Sequence, residues 1–343
     1  MKNLLFHFWQ LENVYLRVKP IFWNEFNSIR IIKNDSWRSL SKKLHIIRSS
    51  FLNYRFDHKK NRRYMSLESI TKLINYCKEV NPKISLEWLE NEKIIDEIRY
   101  GHLGKKIKNP KFPFNFLHIN WAKIMGSLVT DGCVQKDGKT YFINKDLRLI
   151  RYFVIIIKNT IGDFQIKIVK FKRGKNFWYR ITLPKLLGIS LIKGLNWMGG
   201  NKVKNDISLP SFIKKLDPTK NQEKKYLSTF LRWVFTCDGW VNGYSKSIGI
   251  SFNVDVSNLP NKLIKNVENA PRLLKDIKNC LEKLEIYVGK PHFMSLRERK
   301  DGISAKWNIE FYSKKSLNLF CDTIGFKTPE KLNKLYYTIN KRL

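Results

Sequence analysis

Two apolar helical stretches, each ending abruptly in an aspartate and a glycine, constrain this chain more than any other feature. They read Trp121-Ala-Lys-Ile-Met-Gly-Ser-Leu-Val-Thr-Asp131-Gly132 and Phe230-Leu-Arg-Trp-Val-Phe-Thr-Cys-Asp238-Gly239. A helix that is apolar nearly all round expects to be buried. A carboxylate at its C-terminal end opposes the helix dipole, and a following glycine suits a C-terminal cap. If two such helices pack about a pseudo-twofold axis, both carboxylates emerge side by side. Like charges that close call for a counter-ion, and a hard divalent cation held by carboxylates and water is the usual one.

The segments after the two helices follow one pattern. From about residue 117 the spacing predicts a helix over 118–131, strands over 132–144, and an apolar helix over 146–160. Strands over 165–172 and 177–183 then flank Arg173-Gly174-Lys175, and a short helix over 184–193 has Pro184 in its first turn. After residue 222 the order recurs: a helix to Asp238, strands at 240–243 and 247–256, a helix over 270–286, strands at 292–299 and 305–312, and a helix over 315–324. Each copy is an αββαββα unit. A period of roughly 100 residues is far too long for a solenoid and fits two fused half-sites, 117–221 and 222–343.

Upstream, residues 36–77 carry apolar positions at helical spacing: Leu40, Leu44, Ile47, Phe51 and Leu52, then Leu67, Ile70, Leu73 and Ile74. Residues 39–55 resemble a helix-turn-helix with a turn at His45-Ile46. Its second helix would bring Arg48, Asn53 and Arg55 to the DNA major groove, with Lys59, Lys60, Arg62 and Arg63 suited to phosphates. The expectation is a small helical domain over 1–103. The basic stretch Gly104-Lys-Lys-Ile-Lys-Asn-Pro-Lys-Phe-Pro-Phe cannot continue a helix and reads as a linker over 104–116.

Charge narrows the class of partner. Lys and Arg number 65 against 29 Asp and Glu, a formal charge of +36 spread along the 343 residues. Such a surface attracts polyanions, and duplex DNA is the densest common one. A lysine-rich source would raise the charge of any protein, so charge alone does not settle function. With 43% hydrophobic residues the chain has enough apolar surface to fold. The five cysteines are scattered without a Cys-x-x-Cys pair, so neither a disulfide framework nor a zinc site is indicated and a reducing, intracellular setting is expected. No leader pattern is present, and the most apolar run, 152–157, is too short for a bilayer, so a soluble protein with no membrane partner is expected.

The segments Ile124-Met-Gly-Ser-Leu-Val-Thr-Asp-Gly132 and Leu231-Arg-Trp-Val-Phe-Thr-Cys-Asp-Gly239 resemble the two signature helices of LAGLIDADG homing endonucleases in their single-chain, two-motif form. The resemblance covers about residues 113–340. It implies an α+β fold in which two pseudo-symmetric repeats form paired antiparallel sheets, a saddle lying along the DNA major groove, in a monomer with internal pseudo-twofold symmetry. It implies metal-dependent cleavage with Asp131 and Asp238 as ligands, Gly132 and Gly239 beside them, and Mg²⁺ or another divalent cation as cofactor. It also implies a basic residue after the last helix of each repeat; Lys202 and Lys327 are favoured, with Lys204 and Lys331 as rivals. One position departs from the pattern. Trp233 stands where the first helix has Gly126, and a bulky indole pushes the helices apart unless Gly126 and its neighbours receive it.

Strand residues would read the DNA: Gln165, Lys167, Lys170 and Lys172 with Arg180 and Thr182 in the first copy, and Arg297, Arg299, Lys306 and Asn308 in the second. Long polar side chains on one face of a twisted sheet reach base edges and phosphates. The leading expectation is a site-specific endonuclease that cuts both strands of duplex DNA. A non-cutting DNA-binding regulator on the same fold and an RNA maturase are the alternatives.

Overall fold

The computed structural model describes residues 4–47, 49, 51, 64–299 and 301–340. The chain forms two compact units. One comprises Met1–Asn115, Ile157–Gln165 and Pro184–Ser190; the other comprises Phe116–Ile156, Ile166–Leu183 and Leu191–Leu343.

The repeats are present as αββαββα, so the expected α+β class holds. Repeat 1 runs through helix Ile119–Val129, strands Gly132–Val134 and Thr140–Asn144, helix Leu147–Ile161, strands Ile168–Arg173 and Asn176–Leu183, and helix Lys185–Leu195. Repeat 2 runs through helix Asn221–Asp238, strands Gly239–Asn242 and Ser247–Asp255, helix Arg272–Lys283, strands His292–Arg299 and Gly302–Phe311, and helix Lys314–Thr323. Both sheets are antiparallel, and in both the spatial order of strands is first, second, fourth, third. A shared strand order in segments with little residue identity is strong support for a duplicated unit.

Alternation sets the two faces of each sheet. In repeat 2, Ile248, Ile250, Ala305, Trp307 and Ile309 point one way and are buried. Helix Arg272–Lys283 buries Leu273, Leu274, Ile277, Cys280 and Leu281, a stripe at three- and four-residue spacing. The next helix starts where the Ser313 side chain accepts from the Ser316 amide, and its Phe320 ring lies 5.4 Å from Phe311 and 5.0 Å from Phe235. A further helix, Pro329–Asn340, follows the repeat and was not expected from the sequence.

The first unit departs from expectation. It does contain helices, Pro20–Ile32, Trp37–Leu44, Leu67–Lys78 and Leu86–Asn91, but it is not a purely helical domain. Four short antiparallel strands, Met65–Ser66, Val14–Val18, Ile95–Tyr100 and Ile107–Lys108, form a sheet in that order. The stretch assigned as a linker is part of this unit. Ile107 pairs with Ile98 and is fully buried, and Phe114 pairs with Phe6 and is buried too. Burial of these apolar residues outweighs the Pro-rich, basic character that suggested a linker. Helix Trp37–Leu44 ends at His45, which adopts a left-handed conformation with φ 51° in the place where a turn usually takes glycine. Arg48, Asn53 and Arg55 lie outside the described residues. Among the described residues no helix is long and apolar enough to cross a membrane.

Candidate active site

The two acidic helices meet at Gly126. A Cβ there would lie 2.6 Å from the Phe230 carbonyl oxygen and 2.9 Å from the Trp233 Cβ, so only glycine allows this approach. The indole does not separate the helices. It is turned aside against helix Leu147–Ile161, stacked on Tyr152 at 5.7 Å and 10° and lying 6.4 Å from Phe153. At 2% exposure Trp233 is part of the core. Thr130 donates to the Gly126 carbonyl at 2.8 Å, and its hydroxyl also interacts with the Cys237 thiol across the interface.

Close packing brings both aspartates to one end of the interface. Asp131 follows the first helix and Asp238 ends the second. The glycines after them are not left-handed caps: Gly239 has φ −69° and ψ 153°. They are required for space. A Cβ at Gly132 would fall 2.5 Å from the Leu128 Cα, and one at Gly239 would fall 2.6 Å from the Phe235 carbonyl oxygen, four residues earlier in each case. The chain turns so sharply off each helix that a side chain would strike its last turn. Gly132 and Gly239 then open strands paired with Phe142 and Ile250.

Burial and, next to it, the charge of Asp238 raise the Asp131 pKa to about 7 against the pull of Lys202, Asn144 and Lys331. Asp238 is also raised by burial, opposed by Lys202 and Lys331. The two carboxyls titrate as a pair. Burial in turn lowers the pKa of Lys202 and of Lys331, while both aspartates favour the charged ammonium forms.

Each lysine is fixed to the end of one helix. Lys202 donates to the Thr130 carbonyl, immediately before Asp131. Lys331 donates to the carbonyls of Phe235, Thr236 and Cys237 at 3.1, 2.7 and 3.3 Å, immediately before Asp238. Lys327, the favoured sequence choice, is placed elsewhere. Its side chain is exposed and its ammonium lies 4.8 Å over the Tyr152 ring. Lys204 is a surface residue paired with Asp301 at 2.8 Å. The shift from Lys327 to Lys331 follows from helix Pro329–Asn340, which carries Lys331 back toward the acidic helix. Sequence reasoning also missed Asn144, whose side-chain amide donates to the Asp131 carboxylate, and exposed Lys145 beside it, which acts electrostatically on Lys331. By register Phe252 occupies the place of Asn144 in repeat 2.

The donor set is compatible with a hard divalent cation. Among the described residues no group of three or more His, Cys, Asp or Glu side chains surrounds a common point, so two carboxylates are the side-chain donors. Few protein oxygens and the remainder water is the habit of Mg²⁺.

The sheet residues divide unevenly. In repeat 2, Arg297, Arg299, Lys306 and Asn308 all share the face that also carries Ser251 and Asn253, opposite the core. Asn308 is buried there and accepts from Ser251 at 2.6 Å. In repeat 1, Arg180 pairs with Val169, whereas Lys170 pairs with Tyr179 and Lys172 with Phe177. Lys170 and Lys172 therefore lie on the face opposite to Arg180 and Thr182, and Lys170 sits 4.0 Å over the Phe177 ring. Gln165 and Lys167 are exposed and precede the strand, which begins at Ile168.

Two αββαββα repeats, joined through opening helices that end in paired carboxylates, are the arrangement that the resemblance to LAGLIDADG signature helices implies. No protein-family model matches the chain, and no curated protein sequence does. Solved structures are similar to it. Mesophilic variants of the homing endonuclease I-DmoI align over 64% of this chain and 98% of their own, at 15% identity and a TM-score of 0.34. I-DmoI in complex with DNA and Mn aligns over 61% and 97%, at 15% identity and a TM-score of 0.32. The N-terminal LAGLIDADG domain of DUF199/WhiA aligns over 65% and 90%, at 13% identity and a TM-score of 0.36.

Proposed function

We infer that the chain is a divalent-metal-dependent, site-specific endonuclease that hydrolyses both strands of duplex DNA. The observation that carries this reading is the pair Asp131 and Asp238, held together at the end of a buried interface with one lysine fixed beside each. Asp131 and Asp238 would hold the cation, with the backbone at Gly132 and Gly239 alongside. A bound Mg²⁺ supplies Lewis acidity toward phosphate and activation of water. Asn144 orients the Asp131 carboxylate. Lys202 and Lys331, anchored on helix-end carbonyls, offset the charge of the scissile phosphates. Arg180, Arg297, Arg299 and Lys306 contact base edges and phosphates from the sheets.

The test is incubation of a randomised duplex library with Mg²⁺ and sequencing of the cut ends. Defined ends, absent with Asp131→Asn and Asp238→Asn, support cleavage; cutting that survives both substitutions overturns it. One observation favours a second reading. The two carboxylates already face two ammonium groups, so the site can be electrically balanced without metal, as suits a DNA-binding regulator that does not cut. Tight, sequence-selective binding with no cut ends at any divalent-metal concentration would favour that reading.

A further inference from the structure

The outer face of the four-stranded sheet in the first unit takes no part in the acidic site. Register places Tyr15, Arg17, Ser66, Glu97, Arg99 and Lys108 on it, while Leu16, Ile98 and Ile107 face the core. Its acidic groups are taken up internally: Arg17 pairs with Asp96 at 2.8 Å and with Glu97, and the Tyr64 hydroxyl donates to Glu97. Arg99 has no carboxylate partner among the described residues. Its guanidinium lies 3.9 Å from the Tyr64 ring centroid and 5.8 Å from that of Tyr15, and its buried Nε has no acceptor among the described residues. Lys106 also sits over the Tyr64 ring, at 5.5 Å, and the His102 ring lies 4.1 Å from Tyr15. Lys106 and Lys108 are exposed.

Withdrawing an arginine Nε from water with no internal acceptor is unfavourable, and stacking on an aromatic ring offsets only part of it. Fold stability therefore does not account for Arg99. What the arrangement achieves is a positive charge held in fixed orientation on a face whose negative charges are already paired. A braced guanidinium flanked by lysines matches phosphate oxygens. The rings of Tyr15 and Tyr64 already carry Arg99, Lys106 and His102, so neither is open to stack an unpaired base. Single-strand binders need such open rings, whereas duplex binding needs only phosphate contacts.

We propose that this face is a second DNA-contacting surface, which grips the backbone of duplex DNA through Arg99, Lys106 and Lys108 independently of the acidic helix ends. The test measures binding of the full chain to a short labelled duplex of arbitrary sequence by fluorescence anisotropy, with chelator present to prevent cleavage, over a series of salt concentrations. Each phosphate that is no longer neutralised lowers the slope of log K against log salt by about 0.9, so Lys106→Gln with Lys108→Gln should lower it by roughly two. Adding Arg99→Gln should lower it by about one more, with partial recovery in Arg99→Lys. Both lysines are exposed, so the double variant leaves the fold intact, and Lys83→Gln on another exposed stretch gives the background for removing a surface charge. A double variant indistinguishable from Lys83→Gln overturns the proposal, as does a larger loss on a single-stranded oligonucleotide than on the duplex. Because no cleavage is read, these results are separate from the fate of the endonuclease reading.

Discussion

Repeat 1 presents Gly126 to the helix interface, and repeat 2 presents Trp233 at the matching position. Both copies keep the acidic end, the space-limited glycine after it and a lysine fixed on the last helical carbonyls. They differ in everything around these. Asp131 has Asn144, where repeat 2 has Phe252 in register. One sheet keeps its long polar residues on a single face, and the other divides them between two. The two copies thus keep the geometry of the shared helix end and differ in the contacts that serve only one half.

The sharpest way to break the comparison is to disable one half at a time. Asp131→Asn and Asp238→Asn should each cut the rate of plasmid linearisation by about a thousandfold or more, with duplex binding retained. If one variant still linearises DNA at the parental rate, the two halves are not equivalent at their core. The interface comes next. Trp233→Ala should cost about 3–5 kcal/mol through the void left beside Tyr152, and Gly126→Ala about 1–3 kcal/mol through overpacking against Phe230, both read from denaturant unfolding. A neutral Trp233→Ala would mean the indole is not packed against Tyr152.

Smaller effects sharpen the comparison. Lys202→Met and Lys331→Met should each slow cleavage about a hundredfold, while Lys327→Met stays within about fivefold, as expected of an exposed charge. Equal losses at 327 and 331 would undo the assignment by geometry. On the sheets, Arg297→Ala should weaken binding to the repeat 2 half-site by about 1–3 kcal/mol, as removal of a base-edge hydrogen bond does. Lys172→Ala should leave sequence preference unchanged and alter the salt slope by no more than about 0.9, a difference that competition binding detects.

Much of the second unit was legible because its signals are local. Hydrophobic period, Asp-Gly endings and hairpin turns placed every strand and helix of both repeats within a few residues. The lysine pair was only half legible, since choosing Lys331 over Lys327 depends on a helix that folds back after the repeat. Whether Lys170 shares a face with Arg180 depends on register, which one residue of slip reverses. The first unit's sheet was missed because its strands are as short as Met65–Ser66 and Ile107–Lys108 and pair with distant segments. Trp233 was legible as an anomaly, but its accommodation by Tyr152 and Phe153 on another helix was not.

The glycine that lets the second helix approach also has a historical consequence. Were repeat 2 cut out and paired with itself, neither facing helix would carry the glycine that admits the Phe230 carbonyl; repeat 1 paired with itself would keep that close approach but lose the indole stacked on Tyr152. Neither copy can now revert to a homodimer without first changing its partner face. A complementary swap of this kind acts as a ratchet: once a duplicated chain has taken it, the two halves must be inherited as one.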